Sequence, residues 1–170
     1  MFFFQVPAML FALIPVIAIE AFAAFKIFRL TPRRALSGTA VANIVSTVVG
    51  VPLAWFALFA LNLATDGGYR LIGFDTPWKR VLVTIVSMSW LAPYDDQLYW
   101  MVPLATTAFL IPTFFISVIA ERLVLRRMWP DMDKHSVNRA AWMLNVFSYS
   151  FLLLLGLSWI AYAIITHKRA

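Results

Sequence analysis

The sequence predicts an all-α integral membrane protein. It expects four transmembrane helices folded as two antiparallel hairpins, with a short interfacial or re-entrant helix between them. Three observations carry this. First, 62% of the 170 residues are hydrophobic and only 13% are charged, whereas a soluble domain is about half apolar and a quarter charged. A chain this short cannot hide so much apolar surface in one aqueous core. Second, the charged residues fall between long uncharged runs. Third, a basic turn flanked by a glutamate before and an asparagine after occurs twice.

Phe2 to Phe25 is interrupted only by Gln5 and Glu20 as strongly polar residues. It is long enough to cross a hydrocarbon core of about 30 Å at about 1.5 Å per residue. Pro7 and Pro15 are expected to bend it, which membrane helices tolerate when neighbours re-satisfy the freed carbonyls. The run has no basic n-region, so it reads as a first membrane helix and not as a cleaved signal. Lys26 and Arg29 close it, and Thr31-Pro32 fits an N-cap followed by proline at the first helical position.

The second crossing is expected from Thr39 to Ala64. Gly38, Ala42, Ser46, Gly50 and Ala54 recur at every fourth position along it. Small residues in that register form a ridge on which another helix backbone can lie close. Residues 65–76 are turn-rich, with Gly67-Gly68 and Gly73, and Thr76-Pro77 repeats the cap-plus-proline start. The uncharged run Val81–Tyr94 ends near Pro93 and is too short for an ordinary crossing, so it is expected at the interface. Arg80, Thr84 and Ser87 would share its face, with Trp78 and Trp90 at headgroup level. Asp95-Asp96 are expected to cap the next helix. The third crossing is Met101–Ala120, with kinks expected at Pro103 and Pro112, and the fourth is Ala140–Ile165. The whole is one membrane domain, 1–170. Hairpin one covers about 2–64, the outer loop and short helix about 65–97, and hairpin two about 98–166.

Orientation follows from the cations. With four crossings, one side holds Lys26, Arg29, Arg33, Arg34, Arg122, Arg126, Arg127, Lys134 and Arg139. The other holds Arg70, Lys79, Arg80, Lys168 and Arg169. The positive-inside bias therefore places both basic turns in the cytoplasm and both termini outside. Lys26, Arg29, Arg33, Arg34, Arg122, Arg126 and Arg127 are the expected contacts to anionic lipid headgroups. The net charge of +6 has that explanation and does not call for nucleic acid.

The polar pairs are the candidate site. Glu20 and Asn43 lie equally far from the middle of the first turn, and Glu121 and Asn145 equally far from Asp133 in the second. In an antiparallel hairpin, equal distance from the turn means equal depth, so each carboxyl can meet an amide. Ser46 and Thr47 follow one Asn, and Ser148 and Tyr149 the other; a Ser three positions on shares the face of its Asn. An acidic group at mid-bilayer costs on the order of 3 kcal/mol unless it finds such partners. These pairs therefore read first as interhelical clamps and second as a proton or cation relay. Glu121, next to Arg122 and near Arg126, also fits an interfacial ion pair.

Catalytic patterns are missing. With no cysteine there is no thiolate chemistry. No hydrolase, zinc-protease or P-loop pattern occurs. Asp131, Asp133 and His135 alternate in a turn, which is no trusted ligand spacing, so no metal is expected. His135 and His167 sit at helix ends, which argues against paired haem ligation within the membrane. No cofactor is expected, and bound lipid is compatible with the apolar faces. The favoured reading is a non-catalytic integral membrane subunit or scaffold of a larger complex. It would dock through the 38–54 ridge and the outer segment, with lipids and other membrane subunits or a second copy as partners. The competing reading is a small proton- or cation-linked transporter or channel using the Glu/Asn pairs.

Overall fold

A computed structural model of the chain describes residues 2–65, 72–73, 75–86 and 98–167, with side chains at 2–9 and 98 left out. Among the described residues six helices follow in order: α1 Phe2–Ile27, α2 Pro32–Ala64, α3 Pro77–Val86, α4 Leu98–Ala108, α5 Leu110–Met128 and α6 Lys134–His167. No strand occurs among the described residues. Among them, four segments are long and apolar enough to cross a membrane: Leu10–Ile27, Pro32–Ala64, Tyr99–Met128 and Lys134–His167. The side chain of Pro7 is not described. Gly67, Gly68, Arg70, Ser87, Trp90, Pro93, Tyr94, Asp95, Asp96, Lys168 and Arg169, which carried expectations above, lie outside the described residues.

The third span is α4 and α5 in line, broken at Phe109. Pro112 explains the break. It has no N–H, so the Ala108 carbonyl lacks its i+4 donor, and the ladder resumes one residue later with Thr113 N–H to the Phe109 carbonyl at 3.4 Å. The kink expected at Pro112 is thus expressed one turn before the proline, while Pro103 stays within α4.

The helix starts obey local chemistry. The Thr31 hydroxyl accepts from the Arg34 N–H at 3.4 Å, with Pro32 in the first turn. Thr76 precedes Pro77 at the start of α3, but its buried hydroxyl has no hydrogen-bond partner, so the second cap signal marks the position without making the bond. Asp133 caps α6. One carboxylate oxygen accepts the N–H groups of His135 and Ser136, each at 2.9 Å. The Ser136 hydroxyl, then the Ser136 and His135 amides, hold the Asp133 carboxyl below its ordinary value. A lowered folded-state value means the cap helps above the unfolded carboxylate range and fades as pH falls through the folded one. The protection of the Ser136 amide, its exchange rate relative to the intrinsic rate at each pH, is therefore expected to be high near neutrality and to fall in acid, and Asp133→Ala should abolish that pH dependence of protection.

Helix α1 ends in a left-handed residue, Arg29 at φ 53°. This is the position where helices favour glycine. Arg29→Gly is expected to stabilise the fold by about 1 kcal/mol, read by reversible unfolding in mixed micelles.

The core divides into levels along the bundle. Near the two basic turns, Ala35 and Ala42 of α2, Leu125 of α5, Trp129 and Ala140, Ala141 and Leu144 of α6 make one apolar cluster. At the far end, Val51 and Ala54 pack with Ala105, Ala108 and Phe109, against Ile85 of α3. Between the two clusters lie the polar residues of α2, α5 and α6. The small-residue ridge is wholly buried, and its neighbours belong to this chain. A Cβ on Gly38 would stand 2.5 Å from the Trp129 indole nitrogen, and one on Gly50 would meet Ile116 at 3.1 Å. The expectation that this ridge docks on another subunit is overturned, because α5 and Trp129 already fill it.

Candidate functional site: a buried carboxyl–amide–hydroxyl cluster

Glu20 and Glu121 are each 1% exposed. Asn43 donates through Nδ2 to Glu20 Oε2 at 2.5 Å, and Asn145 through Nδ2 to Glu121 Oε2 at 2.6 Å. The other carboxyl oxygen of each glutamate is met from the other half of the chain. The Ser148 hydroxyl donates to Glu20 Oε1 at 2.6 Å, and the Ser46 hydroxyl donates to Glu121 Oε1 at 3.0 Å. Each Asn therefore serves the nearer glutamate in sequence, and the Ser one helical turn on serves the farther one. Four helices, α1, α2, α5 and α6, are joined by four hydrogen bonds at one level.

The donors are held before they meet the carboxyls. Asn43 Nδ2 also donates to the Thr39 carbonyl, and Asn145 Nδ2 to the Ala141 carbonyl, both at 3.0 Å. Each amide nitrogen has two protons, so one fixes the rotamer on its own helix while the other points across the interface. Ser46 and Ser148 approach the carbonyls of their own asparagines at 3.1 and 3.3 Å. Asn145 Oδ1 is buried without a partner.

Glu121 makes no ion pair with Arg122 or Arg126 among the described residues, so the interfacial ion pair expected there is not formed. Arg122 instead donates to Asn138 Oδ1 at 3.4 Å, which a helical step of one residue dictates by turning it off the Glu121 face. Arg34, placed with the lipid headgroups from the sequence, pairs with Asp131 at 2.8 Å and links the two turns. Lys26, Arg29, Arg33, Arg126 and Arg127 are exposed. His167 stacks on Tyr99 with ring centroids 3.8 Å apart. Asp131 and Asp133 are engaged as described, and no group of three or more His, Asp or Glu side chains gathers among the described residues.

Beside the cluster lies a cavity of about 260 Å³ bounded by α1, α2, α4, α5 and α6. Asn43 and Ser46 form its polar end, and Leu13, Val16, Val51 and Leu152 much of its wall. Ser117 and Tyr149 share a hydrogen bond of 2.9 Å at its edge.

Two roles escaped sequence reasoning. The serines were legible as hydroxyls near each Asn, but not as donors to the opposite glutamate. Trp129 was unassigned, although its indole N–H donates to the Arg34 carbonyl at 3.3 Å and its ring fills the notch over Gly38. An aromatic residue just past a helix end, facing a glycine in the partner turn, is the signal that could have found it. Comparison with protein-family models, with curated proteins and with solved structures gives no match, so the geometry alone carries the functional reading.

Proposed function

We propose that the chain is a non-catalytic integral membrane subunit or scaffold of a larger membrane assembly, and that the buried cluster is a clamp between two helical hairpins. One observation carries this reading: all four glutamate oxygens accept a hydrogen bond from inside the chain, and each glutamate is tied to both halves. Polar side chains of this kind hold membrane helices together where lipid supplies no hydrophobic drive. The Glu, Asn and Ser spacings recur in both halves, which supports reading them as two copies of one hairpin in parallel orientation. Both basic turns then face the cytoplasm, with the termini and the 65–97 segment outside. With the ridge closed, the 65–97 segment remains the expected docking region.

The test is purification from native membranes in mild detergent. Other membrane subunits should accompany the chain in fixed stoichiometry through gel filtration. A stable isolated monomer that is fully active in complementing a deletion sinks the subunit reading.

A second reading rests on the cavity reaching Asn43 and Ser46, which hold the two glutamates. A small proton- or cation-linked transporter would use that route. It predicts a flux in liposomes that Glu20→Gln abolishes without unfolding the chain; a wild type with no flux ends it.

A further inference from the structure

The cavity beside the clamp has a chemistry of its own. No charged side chain lines it. Three of its hydroxyls are committed to their own helix: Thr106, Thr107 and Thr113 donate to the carbonyls of Val102, Pro103 and Phe109 at 2.9, 2.7 and 2.8 Å. Ser46 donates to Glu121, and both Asn43 amide protons are used on Glu20 and Thr39. These groups offer the cavity only weak acceptors. A ligand headed by a carbonyl, carboxylate or phosphate needs donors and finds none among them.

Size and position narrow the choice further. About 260 Å³ is below the roughly 300–1,000 Å³ of pockets that enclose a whole drug-sized ligand. The space suits a segment of a chain. Its walls come from the middle of α2 and α6 and the first half of α5, about half-way along each span. On the α6 side it is bounded by Leu155 and Trp159, which are 51% and 46% exposed, so the cavity meets the outer surface there. In a bilayer that surface faces acyl chains.

We propose that the cavity takes up the acyl tail of a bilayer lipid, entering between Leu155 and Trp159 with the headgroup remaining outside. The proposal rests on the chain spanning a membrane and is independent of whether it serves a larger assembly. An intercalated tail fills the space between α1 and α6 that side chains leave open. It also keeps water from the Asn43–Glu20 and Ser46–Glu121 bonds.

The test reconstitutes the full chain in phosphatidylcholine carrying a diazirine at mid-chain, with mapping of the adducts by peptide mass spectrometry. A second lipid carries the diazirine next to the glycerol. Mid-chain label should concentrate on Leu13 and Thr106, about tenfold above the outward α5 residues Ile111, Phe115 and Ile119. The glycerol-proximal label should not reach Leu13 or Thr106. Ala12→Phe with Thr47→Phe, which fills the cavity, should remove the excess label and leave the α5 face unchanged. Should that pair fail to fold, Leu110→Phe serves the same purpose, and the wild-type ratio between cavity and α5 face decides by itself. Equal label on both surfaces, or label insensitive to filling, overturns the proposal. Absence of label from the α5 face as well would overturn the membrane-spanning reading beneath it.

Discussion

Asn43→Leu is expected to destabilise the bundle by about 2–3 kcal/mol, while Glu20→Gln is expected to cost about 1 kcal/mol or less. The difference arises from which atoms are left stranded. Removing the amide leaves Glu20 Oε2 buried without its donor, and nothing else among the described contacts reaches that oxygen. Replacing the carboxyl strands less. Asn43 Nδ2 keeps its bond to the Thr39 carbonyl, and Ser148 can turn to the Asn145 carbonyl. A glutamine can also accept from Asn43 with its oxygen and donate to Ser148 with its nitrogen. The same order should hold for Asn145→Leu against Glu121→Gln. Steric trapping or reversible unfolding in mixed micelles reads both. Equal costs for the two members of a pair would show that the carboxyl, and not the amide, organises the cluster. A double-mutant cycle of Ser46→Ala with Ser148→Ala adds a check: the two hydroxyls serve different glutamates, so their effects should be close to additive unless the carboxyls act as one unit.

Gly38→Val should be as damaging for a reason that involves no polar group. The added Cβ would lie 2.5 to 2.9 Å from three atoms of the Trp129 ring. That ring is fully buried, and its N–H is tied to the Arg34 carbonyl, so it has no cheap way to retreat. Overpacking of this kind costs about 1–3 kcal/mol, and the loss of close helix approach adds to it. Trp129→Ala should cost about 3–5 kcal/mol by leaving a void. Gly38→Val combined with Trp129→Leu should recover part of the loss, since the smaller aliphatic chain makes room for the methyls. Gly156, whose added Cβ would collide with the Thr107 hydroxyl, should show a parallel sensitivity. If Gly38→Val melts like the wild type, Trp129 is not wedged between the two turns.

What could be read from one dimension is what depends on distance along a helix. Hydropathy and length mark the four spans, because crossing hydrocarbon requires a long run with every backbone group paired inside it. Equal separation from a turn matches Glu20 with Asn43 and Glu121 with Asn145, since a helix rises by a constant step per residue. Small residues at every fourth position declare a close contact. The start at Thr31 follows from the need to satisfy first-turn amides.

The remainder depends on how the two halves of the chain rotate against each other, which no spacing within one half encodes. Ser46 meets Glu121 and Ser148 meets Glu20 only because α2 packs on α5 and α6 packs on α1. The same rotation turns the ridge toward Trp129 and Ile116 instead of outward, and it leaves the cavity where no side chain is long enough to close the gap. The sequence by itself determined a chain built to live in a bilayer, with two carboxyls that need amide partners at their own depth. Tertiary structure alone decided that each carboxyl is completed from the opposite half, because a hydrogen bond between segments 75 or 128 residues apart is set by packing and not by local rise.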